Sequence, residues 1–442
     1  MLIGKMKQRL LPILLILLFS GAHQAGAQDG ASSGFTPYSL YGIGDLARPG
    51  TAYNTTRGGI GIGDRNNRYI NYLNPAAINA RERKSFMMDF GLEGRNTLFS
   101  AVSPEGDNLR SANNTFNIHH LAISVPMLGN SALVLGLQPY STTGYKFVSK
   151  ETDDLILSEM GDISYTKTGQ GGIYQFFAGA GATFFDRLSV GLEGQYYFGS
   201  IIHYSTAVFN TSSAYRSIIS GWKYYHDALS LKAGVQYEQP VGKWTATVGA
   251  TYQLGTELKG EMARFAYGTT TPGAAASSAD TIIDRRTKME GQRIPSQIGV
   301  GFTIKDSDRW RFGADYLRQD WTGINFLNSG TSAAGRLMQT FRAGVEYTPD
   351  RYSLRHYFNR ATYSVGAYYE QSYFTLDGRP ADAAGVTLGV SLPVFRYFNS
   401  ITFGVDVGQR GRKSDNLAAE RYVRLYAAFS LHDIWFLKNL YE

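Results

Sequence analysis

From Ser85 to the end of the chain the dominant hydrophobic period is two. Leu229, Leu231, Ala233, Val235 and Tyr237 alternate with Ser230, Lys232, Gly234, Gln236 and Glu238. Trp244, Ala246, Val248, Ala250 and Tyr252 then alternate with Thr245, Thr247, Gly249, Thr251 and Gln253. Such alternation makes a strand with one face fit for lipid and the other for water. Strands of soluble sandwiches average about five or six residues, whereas about 9 to 11 are needed to cross an outer membrane. These runs pass ten. Segments of this kind fall at 85–99, 114–126, 131–142, 171–184, 187–209, 226–239, 243–258, 294–304, 309–321, 337–348, 361–374, 383–393, 399–410 and 420–431, fourteen in all. An even number is the rule for single-chain bacterial barrels. The predicted fold is therefore all-β, a 14-stranded antiparallel transmembrane β-barrel spanning 85–442.

The connections alternate in length. Those at 126–131, 185–187, 240–242, 305–308 and 394–398 are short, and those at 143–170, 210–225 and 259–293 are long. Short turns face the periplasm and long loops the exterior, which places both termini on the periplasmic side. Pro349 to Arg360 is a periplasmic connection of about a dozen residues, long enough for a short helix. The 259–293 loop carries the low-complexity tip TTTPGAAASSAD.

Ahead of the strands, Gly58 to Arg83 reads GGIGIGDRNNRYINYLNPAAINARER, too rich in Gly, Asn and Arg to form strands or a core of its own. We expect residues 28–84 to be a lead-in and hatch leaning on the inside of the barrel. They hold seven basic residues against four acidic, a net +3. Ahead of them again, Lys5, Lys7 and Arg9 precede an apolar run from Leu10 to Phe19 and then Ala25, Gly26 and Ala27. That is the pattern of a signal peptide, 1–27, cleaved after Ala27. Loss of its three basic residues lowers the formal charge from +7 to +4, too mild to argue for nucleic acid. The chain has no Cys, which removes disulfides and thiolate metal sites. Fifty Gly, 30 Tyr and 25 Phe suit a barrel with aromatic girdles in outer-membrane lipid.

Alternation assigns each charge a face. Glu193, Arg311, Asp315, Arg342, Glu346, Asp406 and Arg424 fall inward, with Lys232, Glu238 and Glu370. Both signs occur, as in a paired lumenal network, and Glu193, Glu346 and Asp406 are candidate docking carboxylates for the basic hatch. Met87, Tyr197, Leu317, Tyr368 and Tyr426 also point inward, to line a pocket or pack the hatch. Pro139 lies within LVLGLQPYSTTGY of the third strand. Proline gives no N–H to a ladder, so the strand there has either emerged above the membrane or breaks to open the wall sideways. No G-x-S-x-G, H-E-x-x-H or P-loop is present, and no cofactor or metal is implied. His119 and His120 are adjacent, so on a regular strand they face opposite ways. An enzyme is not expected.

TRGGIGIGDRNNRYINYLNPAAINA, with Gly58, Gly59 and the triplet Asn74, Pro75, Ala76, resembles the hatch motif of the FadL family (FadL/TodX) of outer-membrane channels, as do GADYLRQDW from Gly313 and GVEYTP from Gly344. The resemblance implies a 14-stranded barrel with an N-terminal hatch and passive passage of long-chain fatty acids or other hydrophobic compounds. In that family the third strand is kinked and the wall opens laterally, which would make Pro139 the site of exit. The lead-in SGFTPYSLYGIGDL, from Ser33 to Leu46, departs from the fatty acid channels and is typical of a divergent branch. That branch includes barrels of the type IX secretion system, which plug or shuttle cargo from a translocon.

Overall fold

The computed structural model describes residues 34–442 except 83, 103–105, 128–129, 211–215, 270–279, 307–308, 325, 327–332, 395–397, 416 and 435–442. The expected leader, most of the low-complexity tip and the C-terminal Phe436–Glu442 lie outside the described residues. Fourteen strands form the wall. They are β1 (Ser85–Val102), β2 (Asn108–Pro126), β3 (Ser131–Lys150), β4 (Ile163–Phe184), β5 (Leu188–Phe209), β6 (Ser217–Val241) and β7 (Trp244–Gln253). They continue as β8 (Gln297–Asp306), β9 (Trp310–Asp320), β10 (Leu337–Tyr347), β11 (Thr362–Glu370), β12 (Ala383–Pro393), β13 (Ser400–Arg410) and β14 (Ala419–Ile434). Each pairs antiparallel with its sequence neighbour, and β1 closes on β14 from Ser85↔Ile434 to Ser100↔Ala419. Closure matters because a sheet edge in hydrocarbon would leave backbone N–H and C=O groups unsatisfied, at several kcal/mol each.

The period of two sorts the side chains. Leu192, Leu229, Val248, Leu388 and Leu425 are exposed on the outside, where lipid would cover them. Glu193, Gln195, Thr251, Asp315, Arg342, Glu346 and Asp406 are buried within. The turn between β4 and β5 is tight, with Phe185 and Asp186 both at positive φ (52° and 57°), the twist that joins right-twisted strands in a short hairpin. The long periplasmic connection ends in a 3₁₀ turn at Tyr357–Arg360.

Three long loops are shorter than expected, because strands run on beyond the membrane. β3 reaches Lys150, β4 begins at Ile163 with a helix at Asp154–Met160 between them, and β6 begins at Ser217. The expected 259–293 loop contains a hairpin, Glu261–Thr269 with Asp280–Lys288, whose first arm pairs with Ser217–Tyr224 of β6. Outside the membrane both strand faces are wet, so ISYTKTG carries no alternation to betray the ladder that holds it.

Candidate functional site

The stretch after Gly34 has few apolar positions and borrows its structure from caps and from the barrel. Thr51 and Asn54 form a reciprocal capping box on the single helical turn Ala52–Thr55. Asn74 caps the 3₁₀ turn Pro75–Ala77 by accepting from the Ala76 N–H at 3.0 Å, while its Nδ2 donates to Ile62 O at 2.8 Å and Val235 O at 3.2 Å. All these turns lie against a belt of inward-facing glycines. A Cβ at Gly366 would sit 2.1 Å from the Gly58 nitrogen, one at Gly344 2.3 Å from Arg57 O, and one at Gly191 2.2 Å from Pro75. Gly58 and Gly59 have φ of 72° and 85°, and Gly58 donates to Thr387 Oγ1 at 2.9 Å. Gly58, Pro75 and Ala76 therefore meet the wall backbone to backbone, while Gly59 packs on the Arg342 side chain and Asn74 reaches Val235 O through its amide.

Charge fixes the same segment. Arg57 is fully buried and pairs with Asp64 at 2.8 Å and Glu346 at 3.5 Å. Arg311 reaches Asp64 at 3.3 Å and donates to the Tyr53 hydroxyl at 3.1 Å, while that hydroxyl donates to Glu346. Asp315 accepts from the N–H groups of Gly61 (2.6 Å) and Ile62 (2.8 Å), and Arg342 donates to Gly59 O at 3.1 Å. Higher in the lumen Arg48 stacks on Tyr368 and pairs with Asp406 and Glu370, both at 2.9 Å. Arg424 lies 3.8 Å from Glu93 and 4.0 Å from Asp406. Of the candidate docking carboxylates, Glu346 and Asp406 thus meet arginines of the N-terminal segment. Glu193 does not; it accepts from Gln195 at 2.7 Å and lines the cavity beside Lys232, two positions along the strand from Gly191, which meets Pro75.

The wall beside Pro139 is parted. β2 and β3 pair from Pro126↔Ala132 only as far as Leu121↔Leu137, and among the described residues no ladder joins them above that. Two bulges mark the place. β3 skips Tyr140 in its register with β4, and β2 skips His119 in its register with β1. The second bulge corrects an expectation. It turns both His119 and His120 inward, with their Nδ1 atoms 2.8 Å apart and His120 against Asp89.

The vacated edge of β3 is occupied by the chain's own lead-in. Ser141 and Thr142 pair with β4 on one side and with Leu46 and Asp45 on the other. The Ala47 N–H donates to Tyr140 O and the Thr36 N–H to Gly144 O, both at 2.8 Å. From this edge the lead-in crosses to the opposite side of the gap. Asp45 pairs with Arg410 of β13 at 2.5 Å and Arg95 of β1 at 3.2 Å, the Thr36 hydroxyl donates to Glu420 of β14, and Tyr38 donates to Ala418 O at 2.5 Å. The described chain therefore starts near the extracellular end of the barrel. The wall itself begins at Ser85 and ends at Ile434 at the opposite end, and the two termini whose side was expected lie outside the described residues.

Above the lead-in the extracellular loops close over the lumen. Ile43 and Tyr38 pack in one apolar cluster with Trp321, Phe326, Tyr373 and Phe374, and Tyr373 donates to Gly44 O at 2.6 Å. Beneath them lies a cavity of about 150 Å³ whose walls include Arg48, Glu193, Lys232, Arg342, Glu370 and Arg424. Leu317 and Tyr197 line it too, whereas Met87 packs with Tyr72, and Tyr426 packs beside Ala52. A cavity of that size takes benzene where its walls are aliphatic. Here charged side chains share the walls with Leu46, Leu73, Tyr140, Leu317 and Met338.

The parted third strand and the turns beneath it direct the comparison with known proteins. A family model for BamG matches residues 6–442, nearly the whole length. The chain belongs to the BamG family. Its barrel is also similar to solved FadL-like outer-membrane channels. The toluene transporter TbuX of Ralstonia pickettii superposes with a TM-score of 0.57 at 16% identity, over 87% of this chain and 98% of that one. The toluene transporter TodX of Pseudomonas putida gives 0.55 at 14% identity, over 89% and 100%. The monoaromatic hydrocarbon channel CymD gives 0.50 at 14%, over 87% and 97%. No curated protein sequence matches the chain. At these identities the likeness is one of fold: the chain is a 14-stranded barrel built as these channels are.

Proposed function

We propose that the protein is a sealed barrel that acts through its outer wall as a component of a larger outer-membrane assembly, of the kind a secretion translocon represents. The observation that carries this is the lead-in: the one parting in the described wall is filled by Gly34–Leu46, and the cavity beside it is small, with Arg48, Glu193, Lys232 and Glu370 among its walls. Ligand sites usually run to about 300–1,000 Å³ with mostly apolar walls. A long-chain fatty acid does not have the room here. Residues 34–84 act in this reading as the hatch, and Glu346, Asp315, Arg342 and Asp406 hold it. Extraction in mild detergent after in-cell crosslinking tests the proposal. Recovery in a large complex is expected; a lone barrel carrying bound fatty acid would overturn it.

One observation favours a second reading, in which long-chain fatty acids or other hydrophobic compounds pass through and leave sideways. The ladder stops at Leu121↔Leu137, immediately below Pro139, as a lateral exit requires. Withdrawal of the lead-in would then be the gating step. Uptake of a labelled fatty acid by cells expressing the full-length chain, at several times the rate of cells without it, would support this reading, and an unchanged rate would remove it.

A further inference from the structure

At the extracellular rim the outward face changes character within one residue step. On β13 and β14, Val407 and Val423 are exposed with Val405 and Leu425 below them, all facing lipid. The next outward position on β14 is Arg421, which pairs across to Leu98 of β1 and to Gln409 of β13. Beside it, Ser100 of β1 pairs with Arg110 of β2. Above them the turn between β13 and β14 adds Arg412 and Lys413, and the Lys413 ammonium donates to Asn108 Oδ1 at 3.1 Å, tying the turn to the β1–β2 hairpin. Between hairpin and turn lies a cleft of about 950 Å³, lined by these four cations, by Ser100, Ser111 and Ser414, and at its lower edge by Leu98.

One acid lines the cleft, and it is turned away. Glu420 is fully buried, accepts from the Thr36 hydroxyl and lies 3.5 Å from Arg95 on the lumenal side. Arg110, Arg412 and Arg421 have no ion-pair partner among the described residues. The lumenal arginines Arg48, Arg57, Arg95, Arg342 and Arg410 each pair with a carboxylate, whereas these three guanidinium groups share one ledge unpaired. Guanidinium groups grouped around serine hydroxyls match the oxygens of a phosphate, and an apolar residue at the lower lip matches the start of an acyl chain.

We propose that this ledge binds the phosphate-bearing headgroup of a glycolipid in the outer leaflet, with Arg110, Arg412, Lys413 and Arg421 on the phosphates and Leu98 against the first acyl carbons. The cations stand at the height where the apolar band ends, which is where headgroups of that leaflet lie. Binding there would also anchor the β1–β2 hairpin, the strand pair that loses its neighbour β3 above Leu121.

Native mass spectrometry of the full-length barrel in nanodiscs, titrated with a phosphorylated outer-leaflet glycolipid and with the same glycolipid after enzymatic dephosphorylation, tests this. The wild-type protein should hold the phosphorylated form at least tenfold more tightly. The variant Arg110→Ala, Arg412→Ala, Lys413→Ala, Arg421→Ala should lose that preference while keeping the heat-dependent gel migration of a folded barrel. Equal binding of the two glycolipids by wild type, a comparison that needs no variant to fold, would overturn the proposal. So would an undiminished preference in the variant.

Discussion

At the scale of single residues, the fit of the N-terminal segment depends on what is missing from the wall. Gly366→Ala places a methyl group 2.1 Å from the Gly58 nitrogen, with backbone on both sides, so neither can yield cheaply. Overpacking of this kind costs about 1–3 kcal/mol, and chemical unfolding midpoints should fall accordingly. Gly94→Ala is the control, since its nearest neighbour would be Phe116 Cδ2 at 3.9 Å, and it should leave the midpoint unchanged. Glu346→Gln removes one of two carboxylates on the buried Arg57. Loss of a partner from a buried pair costs about 3–5 kcal/mol, less here because Asp64 remains at 2.8 Å. Single-channel recordings should show a raised leak, and an unchanged leak would count against this docking contact.

Asp45 supplies a pH test. Burial would raise its carboxyl, but Arg410, Arg95 and Arg424 outweigh burial and hold it down at about 2. Its contribution is therefore complete above the ordinary carboxylate value of about 3.9 and is lost as pH falls through about 2. A spin label on Leu40→Cys, in a chain with no other Cys, should stay immobile from pH 7 to 4.5 and loosen only below about pH 3. Loosening near pH 6 would show that another group holds the lead-in.

At the scale of elements, the decisive one is the lead-in. SGFTPYSLYGIGDL has no period of two and no helical period, so nothing in it announces a strand partner. Two of its residues enter the sheet because β3 has an open edge there, and that edge exists because β2 bulges at His119 and β3 at Tyr140. Pro139 was legible as a fault in the ladder; the matching fault at His119 was not, since two adjacent histidines look like any strand until a bulge turns both inward. The hairpin at Glu261–Lys288 escaped for the opposite reason, as a ladder whose two faces are both in water. Deleting residues 34–46 should leave the barrel folded and make its interior permeable to a small hydrophobic probe in liposomes. A tight barrel after deletion would mean that the loops above, and not the lead-in, provide the seal.

At the scale of the molecule, the fourteen wall strands and their order were readable from alternation, because lipid on one side and a polar lumen on the other impose it at every membrane-crossing position. Alternation assigns Glu193, Asp315, Glu346 and Asp406 the inward face for the same reason, and all four are buried. The pairings were not readable: Arg48 with Asp406, or Asp45 with Arg410, join positions more than 350 residues apart by way of a segment that follows no strand. Whether the barrel is closed in the cell depends on that segment lying in the wall. Leu46 and Ser141 are register partners on the open edge of β3, and the chain has no Cys of its own, so the double substitution Leu46→Cys, Ser141→Cys reports on it directly. In intact outer membranes under mild oxidation, nearly complete disulfide formation, read as a gel shift after cleavage between the two positions, is the expected result. Free thiols at both positions, both open to a membrane-permeant maleimide, would contradict it.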